Sequence, residues 1–565
     1  MKIFRSRLLF VFLCLISFIV PINAQRNALD SYAITNARLV TVSGAPVERG
    51  TIVVRDGLIA AIGANIAVPA DAQIIDGTGL TVYPGFFDAD TNLGIAAPQR
   101  SLQINAPPTT PAALPQPTPQ SFSNSIYPTG LRPDVSAAEL VRPGDASFET
   151  ARAAGFTTVL TVPRERIMTG QSALINTAGD NTSQLIIRAP VALHVSFVTL
   201  QSGVFPTSMM GTFAALRQML LDARRLQQAE KVYDANNQRG LRRPEGDKSL
   251  EALFPILNNQ MPMVFNVNSE REILRALDLA KEFNLRAIVA GGNEAWKAAD
   301  RLKAQNVPVL LSLNFPKRTT AATADADPET LETLRLRVET PKNAARLKQA
   351  GVRFAFQSGN ATNLGDFWTN ANKAIENGLS KDDAIRAMTL SAAEIFGVSN
   401  QLGSLEPGKI ANLTVTRGDL FDKSRVFTHV FIDGRMFEIK QPTQPDAKKS
   451  LVAGATPAQP SAQPTAVPNL TGTWTVNIEI PGQAIQATLV LTQQEQKLTG
   501  TLQSQFGNSE ITSGEVTAEG FRFTTNVTID QTFDVLFAGK VSGNQISGTA
   551  TTPQGAIPFT GTKNP

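Results

Sequence analysis

Carboxylates and carboxamides, rather than histidines or thiols, occupy the places in this chain where chemistry could be done. The segment Pro84 to Gly94 reads Pro-Gly-Phe-Phe-Asp-Ala-Asp-Thr-Asn-Leu-Gly and carries Asp90 and Asn92. Downstream, Met263-Val264-Phe265-Asn266-Val267-Asn268 adds Asn266 and Asn268. Such oxygen donors suit Ca²⁺ or Mg²⁺ better than zinc, but a single carboxylate among neutral carboxamides makes a weak cation site. The same groups, joined by Gln171, Ser172, Asn293, Glu294 and Gln357, can instead hydrogen-bond a polar small molecule, or satisfy one another and water.

The chain has two histidines and one cysteine, so no multi-histidine metal site can form. His194 lies in the apolar run Val191-Ala192-Leu193-His194-Val195-Ser196, where a lone imidazole is more often a hydrogen-bonded core or pocket residue than a ligand. His429, in Val426-Phe427-Thr428-His429-Val430-Phe431, reads as structural. No serine, Ser172 included, sits in a nucleophile elbow or has a histidine or cysteine partner for a triad. Glu165 and Glu294 are potential acid/base carboxylates that no spacing brings together. Arg164, Arg166 and Gly170-Gln171-Ser172-Ala173 follow a strand end, a place suited to ligand contacts.

These residues are set among alternating strand-like and helix-like stretches. Strands are predicted at Thr157 to Val162, Met263 to Val267, Ala287 to Ala290, Val307 to Leu313 and Arg353 to Gln357. Helices are predicted at Thr212 to Val232, Glu270 to Phe283, Asn293 to Ala304, Phe367 to Asn377 and Ser380 to Phe396. This βα rhythm implies a parallel sheet with crossover helices, as a barrel or a doubly wound sheet. Before it, short apolar runs between Ala33 and Asp76 include a hairpin signal at Asp56-Gly57. A second group follows far downstream, from Gly403 to Val415 and from Val430 to Arg435.

The two groups and the Pro84 to Gly94 segment resemble the amidohydrolase superfamily, most closely its imidazolonepropionase-like branch. Its members read Pro-Gly-(Phe/Leu)-(Ile/Val)-Asp-x-His-x-His-x-Gly where this chain has Asp90 and Asn92. The resemblance implies a (β/α)₈ TIM-like barrel over 84–402 and a split β-sandwich from 25–83 and 403–440. It also implies metal-dependent hydrolysis of carbon–nitrogen bonds other than peptide bonds, in cyclic amides, imides or related molecules. The family uses zinc or another divalent ion, held by histidines of the first, fifth and sixth strands, a Lys or Glu of the fourth and an Asp of the eighth. Carried over residue by residue, those positions hold Asp90, Asn92, Asn266, Gly291 (or its neighbour Gly292) and Gly359, and the fourth-strand ligand has no placed counterpart. The resemblance therefore implies the scaffold with its ligands replaced: no cofactor is expected, and a pseudo-enzyme or binding protein for a polar small molecule is the leading expectation. A hydrolase acting through an altered site around Asp90, Asn266, His194 and Glu294 is the alternative.

Three further regions flank this core. Residues 1–24 carry Lys2, Arg5 and Arg7, then an apolar run and Ile22-Asn23-Ala24, the pattern of a cleaved signal peptide, so a periplasmic or secreted protein is expected. Cys14 falls in that run behind Leu13, where lipoprotein processing calls for a small residue. The formal charge of +4 comes from 52 Lys plus Arg against 48 Asp plus Glu, and without those three basic residues it is +1. Nothing suggests nucleic acid as a partner, nor an integral membrane protein. Residues 95–145 form a Pro-rich insertion in the first βα loop, either a lid or a surface excursion, and 441–468 read as a Pro/Ala/Gln linker. The tail, 469–565, has short strands, Gly turns and a repeated (Leu/Ile/Phe)-(Thr/Ser)-Gly-Thr, which predict a small antiparallel barrel of unknown partner. A third reading makes the protein an envelope interaction protein acting through that tail.

Overall fold

The computed structural model describes residues 31–95, 130–164, 167–200, 205–236, 239–317, 329–359, 364–439 and 469–564, the last without 481–482, 495, 505–506, 518–519, 529–531 and 553–554. The expected signal peptide, most of the Pro-rich insertion, the linker, Glu165 and Arg166 lie outside the described residues. The chain forms two compact units, one ending at Thr443 and one starting at Gln444.

In the first unit, β1 (Tyr32–Leu39), β2 (Val47–Arg55), β3 (Leu58–Gly63), β4 (Gln73–Asp76) and β5 (Leu80–Pro84) precede the barrel. The barrel contains β6 (Phe86–Thr91), β7 (Phe156–Thr161), β8 (Met168–Gln171), β9 (Ala173–Asn176), β10 (Ile186–Arg188) and β11 (Leu193–Ser196). It continues with β12 (Met263–Val267), β13 (Ala287–Gly291), β14 (Val309–Ser312) and β15 (Phe354–Gln357), and β16 (Leu413–Arg417), β17 (Val426–Ile432) and β18 (Arg435–Glu438) follow.

Both ends of this unit share one eight-stranded sheet, because β16 pairs antiparallel with β5 and carries β17 and β18 with it. β1 pairs with β4 over its first half and with β5 over its second, which bends the sheet over a core of Ile34, Val54, Val415 and Phe431. Asp56 and Gly57, with φ of 52° and 81°, make the two-residue turn between β2 and β3, and Asp433 and Gly434 repeat it at φ 50° and 75°. Two successive positive φ values are what such a hairpin turn requires, which is why Asp-Gly recurs.

The barrel strands β11 to β15 run parallel in register, and β6 is parallel to β7. The third position departs from the expected parallel pattern. There β8 and β9 form one strand interrupted at Ser172, antiparallel to β11 on one side and to β7 on the other. The short chain from Thr161 to Met168 leaves no room for a crossover helix, so the strand must return antiparallel. Alternation sorts the side chains: Phe265, Val289, Leu311 and Phe356 pack outward against helices, while Val264, Ala290, Leu310 and Ala355 fill the interior.

Glu270–Phe283 shows why its stretch is helical: Ser269 and Glu272 form a capping box, and Ile273, Ala276, Leu277 and Ala280 make one buried face. Trp368 anchors another helix, Gly365–Glu376, packed among Phe86, Phe156 and Phe427 with its indole N–H on Ala154 O at 2.9 Å. The single helix predicted from Ser380 to Phe396 is two, Lys381–Ala387 and Leu390–Ile395, because Thr389 leaves helical geometry at φ −133°, ψ −94°. The helix predicted over Asn293 to Ala304 begins as a tighter turn at Ala295–Ala298.

The second unit is a closed antiparallel barrel of β19 (Gly472–Ile480), β20 (Gln483–Gln494), β21 (Lys497–Ser504), β22 (Gly507–Thr517), β23 (Gly520–Thr528), β24 (Thr532–Ser542), β25 (Gln545–Thr552) and β26 (Gly555–Lys563). Trp474, Leu489, Phe523, Phe537 and Phe559 are buried in its core, with the Phe523 and Phe537 rings 4.9 Å apart. Closure removes the free strand edges that a meander of this length would otherwise expose.

Candidate functional site

The C-terminal ends of β6, β7 and β11 to β15 mark the face of such a barrel at which chemistry takes place. Leu193 and Val195 point into the helix layer, so His194 between them faces inward, beside Val264 and one level below Asn266. Asn266 and Gln357 lie on the same inner surface. Each donates its carboxamide to a neighbouring strand, Asn266 Nδ2 to Val195 O at 3.3 Å and Gln357 Nε2 to Leu310 O at 2.7 Å.

The first strand holds the charged centre. Asp90, almost wholly buried, forms an ion pair with Arg164, which follows the end of β7. Burial pushes the Asp90 carboxyl above its usual range, and the Arg164 guanidinium opposes that shift. Two residues earlier, Asp88 accepts from the Ser358 N–H at 2.8 Å and the Asp90 N–H at 3.4 Å through Oδ1, while its buried Oδ2 has no partner. Burial raises Asp88 to about 6, outweighing those hydrogen bonds. His194 is fully buried with both ring nitrogens unpartnered, and burial, reinforced by the charge of Arg164, lowers it to about 3. The expectation of a hydrogen-bonded histidine thus fails at its ring, and the imidazole is neutral at any physiological pH.

The other predicted residues do not converge on this centre. Asn92 is exposed beyond the end of β6, and Asn268 is exposed beyond β12. Gln171 and Ser172 stand at the wrong end, because the antiparallel third strand pairs Gln171 with Leu193 at the start of β11. Their side chains donate to Pro133 O and Ala192 O, at 3.2 Å each. Glu294 caps the helix at Glu270 and pairs with Lys297 at 2.6 Å; burial alone would raise it, but these contacts hold it lower, so it is a structural carboxylate. Asn293 gives its backbone carbonyl to Asn343 and keeps a buried, unpartnered Oδ1. His429 belongs to β17, near Thr428, outside the barrel. Asp88 was the residue missed, although the Asp-Ala-Asp alternation in the same segment signals it.

The residues that the resemblance sets at the family's ligand positions, Asp90, Asn92, Asn266, Gly291 and Gly359, include one carboxylate and no histidine. Among the described residues no three His, Cys, Asp or Glu side chains come together. Two of these positions are crowded. A Cβ at Gly291, whose φ is +89°, would lie 2.6 Å from Asn268 Oδ1, and one at Gly359, φ +64°, would lie 2.6 Å from Ser312 Oγ. The exposed Asn268 side chain can swing away from Gly291, whereas a Cβ at Gly359 would also meet Asn314 Cβ at 2.9 Å, so Gly359 is the more tightly closed of the two.

Similarity to known proteins agrees with this architecture. An amidohydrolase from Thermotoga maritima MSB8 superposes with a TM-score of 0.59 at 26% identity, over 72% of this chain and 100% of that one. Shorter matches occur to adenine deaminase of Moorella thermoacetica, 40% identical over 65 residues, and to dihydroorotase of Mycobacterium tuberculosis, 48% over 46 residues. The chain spans only 10% and 11% of the lengths of those two relatives, and the matches cover 11% and 8% of the chain itself. The family model for the Amidohydrolase family matches residues 81–437, more than half of the sequence. The chain therefore belongs to the Amidohydrolase family.

Proposed function

We propose that this family member is a small-molecule-binding protein without metal-dependent hydrolysis, in which the Arg164 guanidinium takes up the charge of the first ligand position. The ion pair between Arg164 and the buried Asp90 carries this reading. A divalent ion on Asp90 would face that guanidinium at close range, and like charges in a buried site repel by several kcal/mol. A guanidinium also cannot lower the pKa of a bound water as a Lewis-acidic ion does, so the usual nucleophile has no source. What remains on the inner surface, the neutral His194 imidazole with Asn266 and Gln357, offers hydrogen bonds to an uncharged polar ligand.

The test is a hydrolysis screen of cyclic amides and imides with and without added zinc, run beside a thermal-shift screen of the same compounds. Ligand-induced stabilisation without turnover is expected. Zinc-stimulated, chelator-sensitive turnover would overturn the proposal.

One observation favours a second reading, a hydrolase with an altered site. Asp88 has an unpartnered oxygen and titrates at about 6, the range in which a carboxyl can both take and give a proton. Under this reading turnover is insensitive to chelators and is abolished in Asp88→Asn. Export through residues 1–24 belongs to the same proposal, and N-terminal sequencing of the mature protein from an extracytoplasmic fraction tests it: a chain still starting at Met1 there argues against cleavage.

A further inference from the structure

The opposite end of the barrel has a cavity of its own. It has a volume of about 450 Å³ and lies beneath the N-terminal ends of β12 to β15. The residue immediately before each of these strands lines it: Pro262, Arg286, Pro308 and Arg353 in turn, so that proline and arginine alternate round the rim. Neighbouring strands are about 4.8 Å apart, which roots the two arginines about 10 Å from each other. Both side chains are long enough to converge on one group between them.

The charge of this cavity is not balanced. Its one acidic lining residue, Glu394, is already paired with Arg386 at 2.7 Å. Arg286 donates to Asn259 O at 3.3 Å and Arg353 to Asn306 Oδ1 at 3.2 Å, and among the described residues neither has a carboxylate partner. Both side chains are exposed, so the remaining donors of the two guanidiniums face solvent and are open to a ligand that displaces it. Leu285 and Ile395 supply an apolar wall beside them.

We propose that this cavity binds a small organic oxyanion, its charged group held between Arg286 and Arg353 and its apolar body against Leu285 and Ile395. The site is distinct from the mouth and independent of the function proposed above. A role limited to capping the preceding helix ends would use one donor on a carbonyl oxygen, as Arg286 does on Asn259. It would not account for Arg353, which reaches a carboxamide, or for the open volume between the two.

Isothermal titration of the full-length protein at low ionic strength tests the proposal, with hexanoate, phenyl phosphate and uncharged hexanamide as probes. At least one anion is expected to bind at millimolar concentration or below, hexanamide is not, and affinity falls as salt is raised. Arg286→Gln and Arg353→Gln keep a donor for the Asn partners but remove the charge, and each should weaken anion binding about tenfold or more, the worth of one charge-assisted hydrogen bond. Wild-type protein that binds neither anion overturns the proposal. So do equal binding of hexanamide and an undiminished affinity in a double variant whose Tm matches wild type.

Discussion

Replacing Arg164 by Met isolates the feature on which the site is built. The substitution keeps the aliphatic stem and removes the charge, leaving the Asp90 carboxylate, whose side chain is 1% exposed, without its partner. Breaking a buried ion pair from one side costs about 3–5 kcal/mol, and the 27% exposure of Arg164 places this case near 3. A unit of roughly 400 residues unfolds with an entropy of about 0.8 kcal/mol/K, so its Tm should fall by about 4 °C at neutral pH. The loss has a defined pH dependence. Without Arg164 the folded-state pKa of Asp90 rises further, so at intermediate pH the folded chain holds a proton that the unfolded chain has released. Stability then falls as pH rises from about 4 toward that folded pKa, and acidification from pH 7 to 5 should restore much of the lost Tm. Adding Asp90→Asn removes the orphaned charge, and the double variant should recover most of the deficit at pH 7. Scanning calorimetry of the four proteins at pH 5 and 7 reads these effects. An unchanged Tm in Arg164→Met, or a double variant no better than that single one, would refute the argument that the pair is a coupled, buried unit.

Asp88→Asn keeps an acceptor for the Ser358 N–H. With Asp88 at about 6 in the folded chain, wild-type stability declines from this group as pH rises from about 4 through 6; the variant should lack that slope and be more stable at pH 7 by up to about 3 kcal/mol. His194 works in the other direction: held at about 3, it costs stability as pH falls below about 6.5, and His194→Gln should flatten the acid limb of the Tm profile. Gly359→Asp, at the position the resemblance sets against the family's Asp, meets Ser312 Oγ, Asn314 Cβ and a left-handed φ, so it should destabilise by about 2–4 kcal/mol and bring no zinc uptake by elemental analysis. Trp474→Ala should lose about 3–5 kcal/mol from the second unit alone, seen as a shift of one calorimetric transition while the other stays in place.

The scaffold was legible wherever sequence patterns are local. Pro84 to Gly94 identifies the first strand because its residue types are ordered along the chain, and Asp56-Gly57 announces its turn through backbone geometry alone. Gln171 and Ser172 were misplaced because strand direction is not a local property: the same apolar alternation reads equally well parallel or antiparallel, and only the short connection from Thr161 hints at the reversal. The partner of Asp90 lies 74 residues away, a separation at which charge pairing leaves no periodic trace. Gly291 and Gly359 read as missing ligands in the sequence. The structure adds that Ser312 and Asn314 occupy the space a side chain at Gly359 would need, which depends on how neighbouring segments pack.

If Arg164 rather than a divalent ion answers the charge of Asp90, the folded protein holds no metal there. Full-length protein is incubated with excess zinc or manganese, freed of unbound ion by gel filtration and measured by mass spectrometry. Far less than one bound ion per chain is expected, with no increase in Tm from either metal. One or two retained ions per chain, lost in Asp90→Asn, would contradict it.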